Sequence, residues 1–180
     1  MTLNWCNTAE HPTAAETPVA AAPRSEPGLA MLVFSGDMDK LLAAFMVAVG
    51  AASSGMAVTM FFSFWALAAL KKKSSFHEKS MLDKILTAML PSGCAHLRTS
   101  RMNFFGLGSG LLRLAMRQQK MASLQDLLTS AQTLNVRLIA CTSAMQVMGV
   151  RREELLDGMQ YGGVQTFLDS ALAARATLFI

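Results

Sequence analysis

The stretch Leu29-Ala30-Met31-Leu32-Val33-Phe34-Ser35-Gly36-Asp37 decides the fold. Its first six residues are continuously apolar, which is typical of a strand that is buried on both faces. The stretch ends in a turn, whose Asp37 can cap a helix over residues 38–52. Gly55 ends that helical region, and the apolar run 56–62 predicts a second buried strand. This βαβ unit implies a parallel pair of strands, because a crossover helix joins strands that run in the same direction.

Strands and helices alternate through the rest of the chain as well. The segment 123–126 resembles a capping box that opens a helix with one apolar face. The alternation predicts an α/β fold, a three-layer sandwich with a mainly parallel sheet. The remaining predicted elements are a helix that starts near Trp65, helices over 81–90, 111–121, 124–134, 142–150, 153–157 and 164–172, a loop over 101–110, and strands over 136–140 and 177–180.

Composition and charge indicate one domain with an extension. Of the 180 residues, 52% are apolar and 16% are charged, which is enough apolar material for a sizeable core. Residues 1–28 lack a hydrophobic period and predict a flexible N-terminal extension, which leaves 29–180 as the domain. A net charge of +4 argues against a dedicated nucleic-acid binder. The three cysteines make no disulfide framework and favour a reducing compartment, the cytoplasm.

Residues 41–70 contain no charged side chain and precede three consecutive lysines, so their length permits a membrane-spanning helix. However, Gly50 and Gly55 interrupt the run. Its first half is rich in Ala and Leu, whereas its second half is β-branched and aromatic. These features favour a helix, a glycine stop and a buried strand. A protein anchored through 41–70, or held peripherally at a membrane, is the alternative.

Cys141 has the clearest chemical potential of any side chain in the sequence. It ends a predicted strand and precedes a predicted helix, where backbone N–H groups and the helix dipole favour the reactive thiolate. A cysteine at this position can equally be a small apolar core residue. Cys6 and Cys94 lie in less regular segments, and the chain has no CxxC dithiol. The spacing of Cys and His matches no metal pattern, so we expect no metal site.

Two glycine turns are further candidates for the rim of a site. Gly36-Asp37 follows the carboxyl end of a predicted strand, as Cys141 does, and α/β proteins bind their ligands at that edge. Gly162-Gly163 precedes a predicted helix. Its backbone N–H groups can hold an anion, although a plain tight turn explains the two glycines as well.

Five short motifs follow one another in a recognisable order. They are Leu32-Val33-Phe34-Ser35-Gly36-Asp37, Phe61-Phe62-Ser63-Phe64-Trp65, Arg101-Met102-Asn103-Phe104-Phe105-Gly106-Leu107-Gly108, Ala140-Cys141-Thr142-Ser143-Ala144-Met145 and Tyr161-Gly162-Gly163-Val164. Together they resemble the DsrE/DsrF/DrsH-like family, in the branch called peroxiredoxin-like that is grouped with DsrE-type sulfur-trafficking proteins. The resemblance covers about residues 29–180. No Thr and Pro lead into a Cys, as they do in true peroxiredoxins, so we do not expect peroxide reduction.

The resemblance implies a flavodoxin-like fold, a homo-oligomer, and a persulfide carried on one cysteine, for which Cys141 is the match. A sulfurtransferase-like carrier of this kind would pass sulfane sulfur among rhodanese-like and TusA-like proteins, without a metal or cofactor. The alternative is a non-catalytic oligomeric module for binding or assembly, with Cys141 in its core. The residues expected to bind or support the sulfur are Gly36, Asp37, Asn103, Thr142, Ser143, Tyr161, Gly162 and Gly163.

Overall fold

The structure is a computed structural model that describes residues 28–72, 93, 97, 99 and 107–180. Within these ranges, five strands form one parallel sheet in the order β4-β3-β2-β1-β5. The α/β fold predicted from the sequence is confirmed. The strands are β1 (Gly28–Val33), β2 (Ala57–Phe62), β3 (Arg137–Cys141), β4 (Gln160–Gly162) and β5 (Ala176–Phe179), and the helices are α1 (Met38–Ser53), α2 (Leu107–Gln118), α3 (Leu124–Thr133), α4 (Thr142–Val147) and α5 (Val164–Ala173).

The order of the strands places helices on both faces of the sheet. From β1 to β4 each crossover moves in one direction, and right-handed crossovers then put α1 and α3 on the same face, where they pack together. The return from β4 to β5 reverses the direction and places α5 on the opposite face. Successive side chains of β2 point to opposite faces of the sheet and contact the helices on those faces. The ring centroid of Phe62 lies 5.9 Å from that of Phe45 in α1, whereas the ring centroid of Phe61 lies 5.5 Å from that of Phe167 in α5.

The apolar run 41–70 is divided among three elements. It contains most of α1, all of β2 and a 3-10 helix over Phe64–Leu70, and many of its side chains belong to the core. Gly55, with φ of 83°, makes the turn between α1 and β2. The prediction of a helix, a glycine stop and a buried strand is therefore correct. No helix within 28–72 or 107–180 combines the length and the apolar character needed to cross a membrane.

Two local predictions were wrong, and one strand was not predicted. Helix α2 begins at Leu107, so the predicted loop ends before residue 110. The glycines at the start of this segment do not prevent a helix, because each lowers helix stability by only about 1 kcal/mol relative to alanine. The helix predicted over 153–157 is a 3-10 turn over Arg152–Glu154, because Leu155 is extended and bridges to Lys71. The pattern also missed β4, which has only three residues. The helix predicted near Trp65 is the 3-10 helix, and the predicted segments 81–90 and 101–106 lie outside the described residues.

The capping box predicted at the start of α3 is confirmed. The Ser123 hydroxyl accepts a hydrogen bond from the backbone N–H of Asp126 at 3.2 Å, and the Asp126 carboxylate accepts one from the backbone N–H of Ser123 at 2.9 Å. The hydrogen bonds from Ser123 hold the pKa of Asp126 below its ordinary value. The two residues thus fix the start of the helix that leads into β3.

Gly36 lies where the loop after β1 contacts the backbone of the 3-10 helix. A Cβ at this position would lie 2.6 Å from the Trp65 carbonyl oxygen, which belongs to the backbone and cannot turn away. By contrast, a Cβ at Gly50 in the last turn of α1 would meet nothing within 4 Å. Close approach of two backbone segments therefore requires glycine at position 36 but not at position 50.

This contrast predicts opposite effects for two chemically identical substitutions. Gly36→Ala should lower the free energy of unfolding by about 1–3 kcal/mol, because the backbone must shift. Gly50→Ala should raise it by about 0.5–1 kcal/mol, because alanine loses less entropy in a helix. Urea denaturation followed by circular dichroism measures both values. An unchanged stability in Gly36→Ala would show that the loop does not contact Trp65 in solution.

Candidate functional site

Cys141 lies at the carboxyl edge of the sheet between two neighbouring strands. On one side it pairs with Gly162 of β4. On the other side Ala140 pairs with Phe62 of β2, so the extended residue Ser63 continues β2 level with Cys141. Adjacent strands are about 4.8 Å apart. The backbones of Ser63 and Gly162 therefore flank Cys141 at van der Waals range.

The side chain of Cys141 belongs to the face of the sheet that α5 covers. Side chains on a strand alternate, so Cys141 points to the same face as Ile139. Ile139 pairs with Phe61, whose ring contacts Phe167 of α5. The thiol thus lies between the sheet and the α5 layer at the carboxyl edge, where parallel α/β proteins place their chemistry.

The start of α5 adjoins this position. A Cβ on Gly162 would lie 2.6 Å from the Thr166 hydroxyl oxygen, so glycine lets the first turn of α5 approach the sheet next to Cys141. Gly163 is the N-cap residue of α5 and makes no side-chain cap. The Thr142 hydroxyl donates a hydrogen bond of 3.4 Å to the Gly162 carbonyl oxygen and ties the two segments together. The structure thus brings three predicted residues to Cys141: Thr142, Gly162 and Gly163.

Cys141 itself is buried. Only 3% of its surface is exposed, and it is the free cysteine within the described ranges. It is the N-cap residue of α4, a helix of six residues, and its neighbour Ser143 is exposed. Ser63 is also buried, and its place level with Cys141 puts the two side chains on the same face of the sheet. The sequence analysis did not single out Ser63 or Thr166. Ser63 could have been found from its position directly after β2, the strand that pairs with β3.

Gly36 and Asp37 lie at the same edge but beyond β2, one strand farther from the thiol. The residue after β1 is about two strand spacings, or roughly 10 Å, from Cys141. The Asp37 carboxylate accepts a hydrogen bond from the Ser35 hydroxyl at 3.0 Å and forms an ion pair with Lys40 at 2.9 Å. Asp37 occupies the predicted N-cap position of α1, although its side chain makes no cap. These residues border the edge and do not contact Cys141.

Tyr161 connects β4 to the turn that precedes it. The Arg152 guanidinium lies over the tyrosine ring, 4.6 Å from its centroid, which is a cation–π contact. Burial raises the pKa of the Tyr161 hydroxyl above its ordinary value. Tyr161 therefore supports the turn, whereas Asn103, the remaining predicted site residue, lies outside the described residues. Within the ranges described, no three His, Cys, Asp or Glu side chains are grouped as a metal site.

Exposed aromatic side chains continue the carboxyl edge on the other side of Ser63. The ring centroid of Phe34 lies 5.4 Å from that of Phe64 and 6.3 Å from that of Phe179. Trp65, next to Phe64, is 46% exposed. Phe64 has φ of 46°, a left-handed conformation that is costly for a bulky residue. The edge that holds Cys141 therefore also presents apolar surface to solvent, a feature typical of contact sites.

A buried ion pair fixes the 3-10 helix beside the site. The Lys71 ammonium lies 3.3 Å from the Glu154 carboxylate, and both side chains are fully buried. The backbone N–H of Lys72 donates to the Glu154 carbonyl at 2.8 Å, and that of Leu156 donates to the Leu70 carbonyl at 2.9 Å. Because the 3-10 helix contacts α4, this pairing holds the element against the helix that follows Cys141.

Comparison with known proteins assigns the chain to a family. Residues 25–179 match the DsrE/DsrF/DrsH-like family. The chain belongs to this family. Its relatives include the protein YrkE of Bacillus subtilis (strain 168), which is 37% identical over 151 residues that cover 83% of this chain and 94% of YrkE.

A second relative is named for its activity. The sulfur carrier protein DsrE2 of Allochromatium vinosum is 26% identical over 156 residues, which cover 84% of this chain and 97% of DsrE2. Among solved structures, the crystal structure of the ychN protein from E. coli matches with a TM-score of 0.51 at 14% identity, over 86% of this chain and 99% of that protein. This likeness supports the fold. The prediction of the family from five short motifs is confirmed.

Proposed function

We propose that this protein is a sulfur carrier that holds sulfane sulfur as a persulfide on Cys141. Membership of the DsrE/DsrF/DrsH-like family and the similarity to a sulfur carrier, DsrE2, support this function. The observation that carries the proposal is the position of Cys141 at the carboxyl edge of the sheet, between Ser63 and the Gly162-Gly163 turn. This position offers hydroxyl and backbone N–H donors to a sulfur anion.

The chemistry is thiol exchange in two balanced steps. The Cys141 thiolate attacks the outer sulfur of a donor persulfide; the new sulfur–sulfur bond forms on Cys141 as the old one breaks, and the donor leaves as a thiolate. A thiolate of the acceptor then attacks the outer sulfur on Cys141 and restores the Cys141 thiolate. Neither step involves net oxidation, a metal or a cofactor. A rhodanese-like donor and a TusA-like acceptor fit the two roles.

The burial of Cys141 favours a second candidate function. A thiol that is 3% exposed resembles a core residue, as expected for a non-catalytic oligomeric module for binding or assembly. On the sulfur-carrier proposal, the donor and the acceptor must gain access to Cys141 at the aromatic edge of Phe34, Phe64 and Trp65. A reducing compartment such as the cytoplasm keeps the thiol free between transfers.

A transfer experiment separates the two functions. We would combine a thiosulfate-loaded rhodanese, a TusA-like acceptor, and a variant in which Cys6→Ser and Cys94→Ser leave Cys141 as the sole thiol. We expect the acceptor to gain one sulfur, about 32 Da, only when this variant is present. The matched control carries Cys141→Ala and keeps the other two cysteines. Equal transfer through the control, or none through the sole-thiol variant, would contradict the relay.

A further inference from the structure

We propose that helix α2 and the residues directly after it form a docking surface for an acidic protein of the sulfur relay. The sequence around α2 is basic, because residues 84–125 contain no Asp or Glu. Their Lys and Arg residues are Lys84, Arg98, Arg101, Arg113, Arg117 and Lys120. The whole chain has a net charge of only +4, so the rest of it is slightly acidic. Positive charge gathered in one segment indicates a negatively charged partner.

Helix α2 exposes apolar side chains next to this charge. Met116 is buried in the core, whereas Leu111 and Leu114 lie on the opposite side of the helix and are 58% and 53% exposed. Arg117 borders this apolar stripe on one flank, and Lys120 follows the last turn of the helix. Both cations are exposed, and neither forms an ion pair in the part of the chain that the structure describes. The complementary surface is apolar at its centre and acidic at one side.

The one-sided charge favours a protein over an anionic membrane as the partner. A helix that lies in a membrane interface has a charged face opposite its apolar face. The side of α2 opposite Leu111 and Leu114 instead packs on the core through Met116. The flank opposite Arg117 carries the uncharged Ala115. A flat, uniformly charged bilayer does not match this asymmetry, whereas the shaped surface of a protein does.

The end of α2 lies near the edge of the sheet that holds Cys141. Helix α3 leads into β3, so it runs against the strands and begins at their carboxyl edge. Its N-cap residue, Ser123, follows Lys120 by three residues, which span at most about 10 Å. A protein docked on α2 is therefore at the end of the sheet where its thiol can reach Cys141. This inference rests on the proposed function and adds the chemistry of the partner that the relay requires.

Charge reversal tests the surface in the background Cys6→Ser/Cys94→Ser. We would measure the rate constants for loading from a rhodanese and for delivery to a TusA-like acceptor at low and high salt. Arg117→Glu should lower at least one of them at least about fivefold at low salt, and high salt should narrow the difference. Lys120→Glu should act in the same direction. Arg175→Glu is the matched control, because Arg175 is exposed and directly precedes β5, at the opposite edge of the sheet.

Loading from polysulfide separates this inference from the proposed function. A small anion does not need the docking surface, so every variant should load Cys141 to the same extent. Intact loading with both transfer steps unchanged in Arg117→Glu, or slowed equally in Arg175→Glu, would overturn the docking surface alone. Absence of loading in every variant, including the parent, would instead refute the sulfur carrier.

Vesicles of phosphatidylglycerol and phosphatidylcholine test the membrane as the occupant. We expect the protein to stay unbound when the vesicles are floated on a density gradient. Flotation of the parent protein that is lost in Arg117→Glu and kept in Arg175→Glu would contradict a protein partner and identify a lipid surface. Circular dichroism confirms that each variant is folded.

Discussion

Lys71→Met is expected to lower the free energy of unfolding by about 3–5 kcal/mol, although lysine-to-methionine changes at a surface are nearly neutral. The substitution leaves the Glu154 carboxylate without the ammonium that lies 3.3 Å away, in a place where both side chains are fully buried. A buried charge that loses its ion-pair partner is costly because burial has already removed its hydration. Urea denaturation monitored by circular dichroism gives the loss directly.

Two further variants separate the buried charge from the loss of a side chain. In Lys71→Met/Glu154→Leu both charges are replaced by apolar groups, and we expect most of the stability to return. Lys72→Met is the matched control, because Lys72 pairs with Asp157 at 2.6 Å in a more exposed setting, where an ion pair contributes at most about 1 kcal/mol. Equal losses in Lys71→Met and Lys72→Met would contradict the burial of Lys71.

The order of elements was predictable from local pattern. Nearly continuous apolar runs identified β1, β2 and β3, because parallel strands covered on both faces have no polar face. The side chains of Ser123 and Asp126 identified the start of α3, since a capping box needs only residues three positions apart. Gly55 marked the turn between α1 and β2. Each of these signals is contained within a few residues of the sequence.

Features that depend on distant pairing were not predictable in the same way. Lys71 begins a run of three lysines, which resembles a solvated surface, yet it is buried because Glu154 meets it from another segment. The same pairing extends Leu155 and ends the helix expected there. Strand β4 is recognisable only through its register with β3. Ser63 and Thr166 likewise became site residues only when the strand order was known.

The position of Cys141 in the fold was predictable from the sequence, and that of its neighbours only in part. Cys141 was identified correctly as the residue at the end of a strand, and Gly162 and Gly163 do adjoin it. The sequence could not show that the thiol faces the α5 layer, since the face depends on where the chain crosses the sheet. Nor could it show the burial of Cys141. That burial predicts that a small polysulfide anion will modify Cys141 faster than a bulky maleimide does.

Replacing Cys141 is expected to abolish sulfur loading, the largest functional effect that the account predicts. Alanine is the better replacement because it leaves no hydroxyl at a buried position, whereas serine risks an unsatisfied polar group. Cys6→Ser/Cys94→Ser is the matched control, since it removes both other thiols and keeps Cys141. We expect this control to load as much sulfur as the wild type, because a single thiolate is sufficient for persulfide formation.

The most direct measurement is the intact mass of the protein after incubation with polysulfide, followed by peptide mapping of the adduct. The account predicts a gain of one sulfur, about 32 Da, located on Cys141 and removed by a thiol reductant. The adduct should be present in Cys6→Ser/Cys94→Ser and absent from Cys141→Ala. An adduct that persists in Cys141→Ala, or a Cys141 that stays unmodified in the control, would contradict a sulfur carrier based on this residue.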